Sequence, residues 1–182
     1  MTIHKETSIV LCVSGAADIG HCGIDAREKA IELGREIGRH GAVLVTGATT
    51  GFPLWAAMGT KSEGGISIGL SPAANVREHK DVYKLPPDYM DLVVYTGFGF
   101  PGRDLLLIRS CEAVLIGCGR IGTIHEFTIA FEDNKPIGVL QGDCVCMRPH
   151  LLSGTDCQIC SQSSRLSHIP VRHPMQCRRY RR

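Results

Sequence analysis

The sequence predicts a doubly wound α/β fold, a parallel sheet covered by helices on both faces. Strand-like and helix-like segments alternate through most of residues 8–140. The strand-like segments are continuous apolar runs rather than alternating ones, the pattern of strands buried on both faces. Small-residue loops follow four of these runs, at Gly15, Gly47 to Gly51, Gly97 to Gly102 and Gly117 to Gly122. That is the edge of a parallel sheet where ligands bind.

The elements follow in order. Ser8 to Ser14 reads as a buried strand ending at Gly15. Asp25 to His40 reads as a helix, with Asp25 as its cap, Ala30, Leu33 and Ile37 at helical spacing, and Gly41 as its stop. Ala42 to Thr46 is a second strand, and Phe52 to Lys61 a second helix with Pro53 in its first turn. Ile66 to Leu70 is a third strand, Ser71 to Met90 a polar loop, and Leu92 to Thr96 a fourth strand. Arg103 to Cys111 reads as a short helix and Ala113 to Ile116 as a fifth strand. A helix over Thr123 to Asp133 and a sixth strand over Ile137 to Leu140 complete the alternation.

The chain has 182 residues, enough for one domain of ordinary size, with 43% hydrophobic residues and a net charge of +2. The weak charge does not point to nucleic acid as a partner, and none is expected. The N-terminal apolar run Ile9 to Val13 is too short for a signal peptide or a membrane span, so a cytoplasmic location is expected. Nine cysteines in such a compartment are expected to be free thiols. The charge is unevenly spread: residues 1–140 carry 13 basic and 16 acidic side chains, whereas residues 141–182 carry seven arginines and two aspartates. That second segment lacks Lys, Glu, Ala and Phe and holds five of the cysteines. We therefore expect an α/β domain over 1–140, whose ligand the loops below specify, and an atypical Cys/Arg-rich tail over 141–182, disordered or non-native. Its Cys144-x-Cys146 and Cys157-x-x-Cys160 pairs loosely suggest zinc ligands, but the first is too tight for a zinc ribbon. No metal or resident cofactor is expected.

The segment richest in chemistry is Gly117-Cys118-Gly119-Arg120-Ile121-Gly122-Thr123-Ile124-His125-Glu126, between the fifth strand and the following helix. Glycines let backbone approach an anion closely, and the first N–H groups of a helix point at it. Gly119, Arg120, Gly122 and Thr123 are therefore candidate phosphate contacts, with Gly15, Gly47 and Gly51 on the neighbouring loops. Glu126, one turn into the helix, is a candidate acid or base. Gly117-x-Gly119-x-x-Gly122 matches the dinucleotide fingerprint, but that motif opens the first βαβ unit and here follows the fifth strand.

Read together, these residues resemble the LOG family of the wider SLOG nucleotide-binding group. Its hallmark Pro-Gly-Gly-x-Gly-Thr-x-x-Glu corresponds to Cys118 through Glu126, and its arginine twenty positions before the threonine falls on Arg103. Thr46 to Trp55 is similar to its glycine loop and following helix. The chain departs from the pattern at Cys118 for Pro, Arg120 for Gly, and Asp104 where a Lys often follows the arginine. Arg120 either narrows the cradle or reaches the phosphate itself.

The resemblance implies Arg103 and Glu126 as a catalytic pair. They would hydrolyse the N-glycosidic bond of a nucleoside 5′-monophosphate such as AMP to base and ribose 5-phosphate. The alternative it leaves open is a non-catalytic carrier or sensor of a nucleotide or of molybdenum cofactor. It also implies a homodimer. The apolar runs Phe52 to Met58 and Leu105 to Ile108 offer surfaces for one.

Overall fold

Six short strands, all parallel, form one sheet in the order β4-β3-β2-β1-β5-β6 in this computed structural model, which describes residues 8–140. The strands are β1 (Val10–Ser14), β2 (Val43–Thr46), β3 (Ile66–Ser71), β4 (Leu92–Tyr95), β5 (Ala113–Ile116) and β6 (Ile137–Val139). The helices are α1 (Ala26–Arg39), α2 (Phe52–Ser62), α3 (Gly99–Arg109) and α4 (Ile121–Glu132). The tail beginning at residue 141 lies outside the described residues.

The chain runs outward from β1 to β4, then returns to place β5 on the other side of β1. With right-handed crossovers, that reversal sends α1 and α2 to one face and α3 and α4 to the other. Side-chain alternation along each strand supplies both cores. Leu11 and Val13 of β1 pack with Ala30, Leu33 and Ile37 of α1 and with Ala56 and Ala57 of α2. Cys12, between them, packs with Leu107 and Ile108 of α3 and Ala130 of α4. This explains the unbroken apolar runs, since each strand buries both faces.

Two glycines set the α1–α2 crossing. A Cβ on Gly34 would lie 1.9 Å from the carbonyl oxygen of Ala56, and one on Gly59 would lie 2.0 Å from that of Ile31. The buried Thr60 hydroxyl faces the carbonyls of Gly34, at 3.0 Å, and Ala56, at 3.1 Å. The apolar run of α2 is thus largely covered by α1 within the chain, with Phe52, Pro53, Ala56 and Ala57 buried. It does not need a partner chain to cover it. On α3, Leu107 and Ile108 are buried while Leu105 and Leu106 remain exposed.

Three local expectations change. Helix α3 begins at Gly99 rather than Arg103, so the last four residues of the expected glycine loop are its first turn, with Pro101 tolerated there. One π-helical turn, Glu78–Val82, interrupts the polar loop after β3. Its His79 is buried and its Nδ1 lies 2.8 Å from the Ser71 hydroxyl. Asp25 occupies the N-cap of α1 but makes no side-chain capping bond; its carboxylate meets Lys29 at 2.5 Å instead. Among the described residues no helix is long and apolar enough to cross a membrane.

Candidate functional site

Because β1 neighbours both β2 and β5, the winding changes direction between β1 and β5. In open α/β sheets this switch point is where the loops diverge and a crevice forms. The two loops that leave it are residues 15–25 and residues 117–120. Their bases are joined by main-chain bonds: Gly117 N–H donates to Ser14 O at 2.9 Å, and Ala16 N–H to Cys118 O at 2.7 Å.

Phe52, at the start of α2, fixes the shape of this rim. Its side chain fills the space over two glycines: an added Cβ would come within 2.7 Å of it at Gly15 and 2.1 Å at Gly117. Gly51 holds φ at +69°, and a Cβ there would sit 2.3 Å from the Ala16 carbonyl oxygen. Gly15 and Gly51 therefore serve close packing among the loops. Gly47 makes room for a side chain instead. A Cβ there would fall 1.4 Å from Nη1 of Arg103, so the guanidinium lies directly on its backbone.

The expected pair does come together. Arg103 from α3 places Nη1 3.8 Å from Oε1 of Glu126 on α4. The other carboxylate oxygen of Glu126 accepts a hydrogen bond from the hydroxyl of Ser14 at the end of β1. Arg103 and Glu126 are 5% and 7% exposed. Burial pushes the Glu126 carboxyl up to about 7; the positive charge of Arg103 opposes the rise, the neighbouring Asp104 adds to it, and the Ser14 bond opposes it.

Asp104 is the residue that the family pattern undervalues. It is buried, 3.3 Å from Nε of Arg103 through Oδ1 and 2.9 Å from Nδ1 of His125 through Oδ2. Adjacent helix positions point about 100° apart. At the α3–α4 contact both directions are covered, so Arg103 and Asp104 are buried as a pair. The approach of Asp104 is close enough for charge attraction but misaligned for hydrogen bonding. The buried Nε–H of Arg103 has no hydrogen-bond acceptor among the described residues. His125 is half-exposed and reaches this cluster through Asp104.

The other candidates stand at the entry to α4. Arg120 is its N-cap residue, and no side-chain hydrogen bond caps the helix. The first amides are thus uncapped by side chains, the condition for anion binding. Thr123 is buried and leans on Gly119, where a Cβ would meet its Oγ1 at 2.5 Å. Gly122 has open space: an added Cβ would touch nothing within 4 Å. The Arg120 guanidinium crosses to the facing loop and pairs with Asp18 at 2.9 Å, both side chains exposed. Exposed pairs of this kind contribute about 0–1 kcal/mol, so an anion can compete for the arginine.

The expectation of free thiols fails at this rim. Cys22 and Cys118 form a disulfide that links the two loops of the switch point, with Cα atoms 5.7 Å apart. Pairing across 96 residues is invisible in the sequence, because it depends on β5 returning to lie beside β1. Cys12 and Cys111 are free and buried. The five cysteines of the tail lie outside the described residues.

Residues 8–168 match the SLOG cluster4 family. The chain belongs to that family. It is 28% identical over 127 residues to an uncharacterised protein of Archaeoglobus fulgidus, covering 70% of this chain and 78% of that one. It is similar to the molybdenum cofactor carrier protein of Chlamydomonas reinhardtii, with 27% identity, a TM-score of 0.61, and 73% and 76% of the two chains covered. A molybdenum cofactor binding protein from Rippkaea orientalis shares the fold at 24% identity and a TM-score of 0.65, over 91% of this chain and 88% of that one. The SLOG cluster4 chain thus pairs a parallel-sheet nucleotide-type fold with a buried Ser14–Glu126–Arg103–Asp104 cluster at the edge of its switch point.

The pH dependence of that cluster follows from Glu126. Its folded pKa, about 7, exceeds the ordinary value of 4.5. Between these two values only the folded state holds the proton. Stability present below pH 4.5 is therefore lost as pH rises towards about 7, by up to roughly 3 kcal/mol. Glu126→Gln keeps a partner for Ser14 and cannot ionise. Urea unfolding across this window should show the variant gaining on the wild type as pH rises. A constant difference between the two would show that Glu126 is ionised throughout.

Proposed function

We propose that this protein binds a phosphorylated, nucleotide-like ligand at the β1–β5 switch point and holds it intact, as a carrier or sensor rather than a phosphoribohydrolase. The observation that carries this reading is the inward anchoring of the pair expected to be catalytic. A carboxylate that stabilises an oxocarbenium-like ribose must be ionised and must face it. Glu126 is buried, with burial pushing its carboxyl up to about 7, and it is turned onto Ser14 rather than into the loops. Arg103 is partly neutralised by Asp104 and packed on Gly47.

The phosphate-binding role falls to the uncapped start of α4: the backbone N–H groups of residues 121–123, with Arg120 exchanging Asp18 for the anion. Dipole and amides at a helix N-terminus suit a phosphate without any catalytic group. A nucleotide monophosphate such as AMP and the phosphorylated molybdenum cofactor share that feature. The similarity to the Chlamydomonas carrier supports the second as cargo. The proximity of Arg103 to Glu126 favours the hydrolytic alternative, and one experiment separates the two. Calorimetric titration with AMP, followed by chromatography of the incubated mixture, should give saturable binding and no free adenine. Adenine released over many turnovers would establish the hydrolase instead.

We further propose a homodimer through α3 and α4, whose Leu105, Leu106, Ile121 and Ile124 are exposed while the helices pack on each other. Light scattering should give twice the chain mass of 19.8 kDa; a stable monomer would remove this part of the proposal.

A further inference from the structure

We propose that Cys22, Cys118 and His21 form a redox-gated metal site, in which reduction of the disulfide creates a two-thiolate, one-imidazole centre for a zinc-class divalent ion. The ligand atoms of these three residues lie within 4.8 Å of one another. His21 Nε2 is 3.6 Å from Sγ of Cys118 and 4.0 Å from Sγ of Cys22. Zinc–sulfur bonds of about 2.3 Å and zinc–nitrogen bonds of about 2.0–2.1 Å, at tetrahedral angles, need S···N separations of about 3.6 Å and an S···S separation of about 3.8 Å. The imidazole is thus already near its required place. Only the sulfurs must part, from the roughly 2.0 Å of a disulfide.

The surroundings suit such a centre. Cys118 is buried, and Cys22 and His21 are half-buried. His21 Nε2 also lies 3.2 Å from the carbonyl oxygen of Gly119, a contact that it gives up when it turns its lone pair to the ion. Main-chain bonds from residues 16 and 117 hold the two loops together independently of the disulfide, so reduction leaves the donors adjacent. Three protein donors leave a fourth position for water or an anion, as in open zinc sites. Because Cys118 immediately precedes Gly119, that position belongs to the same rim as the phosphate cradle.

The chemistry balances with a dithiol as reductant. The dithiol gives two electrons and two protons to the Cys22–Cys118 bond and leaves as its own disulfide. The two protein thiols then lose two protons to solvent as the ion binds. His21 stays neutral, its proton moving to Nδ1 so that Nε2 can donate its lone pair.

Cobalt(II) is the probe, added to the full-length chain with Cys144, Cys146, Cys157, Cys160 and Cys177 replaced by serine. After reduction by dithiol and removal of the excess, one equivalent should bind with a thiolate-to-cobalt charge-transfer band, and zinc(II) should displace it. The unreduced protein should bind none. His21→Ala should weaken binding at least about tenfold, and Cys22→Ser or Cys118→Ser about a hundredfold or more. If the serine-substituted chain does not fold, the same Cys118→Ser change in the otherwise unmodified chain should lower the bound cobalt by one equivalent. Absence of a charge-transfer band in the reduced, folded protein would overturn the proposal. So would cobalt binding that is indifferent to all three substitutions.

Discussion

Gly122→Asp should weaken AMP binding about a hundredfold without lowering thermal stability. An added Cβ at this position meets nothing within 4 Å, and the residue lies in the first turn of α4. An aspartate there is favourable for the helix, because its charge opposes the positive end of the dipole. The same carboxylate stands beside the place proposed for the phosphate. Two negative charges about 5 Å apart at an effective dielectric of about 20 repel by roughly 3 kcal/mol, near a hundredfold in affinity. Gly122→Asn has the same shape without the charge and should bind far better than the aspartate variant. Calorimetry with AMP, alongside a melting curve for each variant, checks both halves. Unchanged affinity in the aspartate variant would place the phosphate elsewhere.

Gly34→Ala should lower the melting temperature by roughly 10 °C. Helix propensity alone predicts a gain of about 1 kcal/mol for replacing glycine by alanine. Packing reverses the sign. The new methyl would stand 1.9 Å from a main-chain oxygen on α2, where no side chain can rotate away. The helices must separate by more than about 1 Å, which strains the contact of Thr60 with Gly34 and Ala56. A net cost of about 2–4 kcal/mol corresponds to roughly 5–15 °C for a chain of this size. The same change at Gly122, in open space, should leave the melting temperature equal or higher. Equal melting temperatures for wild type and Gly34→Ala would show that the α1–α2 crossing is looser than described.

The contrast between those glycines shows what could be read from the sequence and what could not. The fold class was legible because buried parallel strands need apolar residues on both faces, and Leu11, Cys12 and Val13 do face opposite cores. The turn into α4 was legible because a glycine-rich turn between strand and helix has few alternatives, but the helix starts at Ile121, two residues before the expected Thr123. The roles of the individual glycines were not, since each depends on what lies across from it: Phe52 over Gly15, Arg103 over Gly47, nothing over Gly122. Helix α3 was placed four residues late because Gly97, Gly99 and Gly102 weaken its local signal, while tertiary packing supports a helix from Gly99.

In the candidate site, the family resemblance pointed to Arg103 and Glu126, which the fold brings together, but not to their surroundings. In the sequence Asp104 reads only as a departure from a family pattern. It is a buried partner of both Arg103 and His125, a relation that arises only where α3 packs on α4. Ser14 carried no signal at all, being the last residue of an apolar strand; its hydroxyl is significant because Glu126 descends onto the end of β1. The Cys22–Cys118 link is of the same kind. It follows from strand order and not from any motif.

A crystal structure of the protein grown with AMP at neutral pH would decide between holding the ligand and hydrolysing it. We expect intact AMP with its phosphate on the N–H groups of residues 121–123, Arg120 turned from Asp18 towards it, and Glu126 still bonded to Ser14. Separate adenine and ribose 5-phosphate, or a phosphate bound away from the start of α4, would contradict the carrier reading.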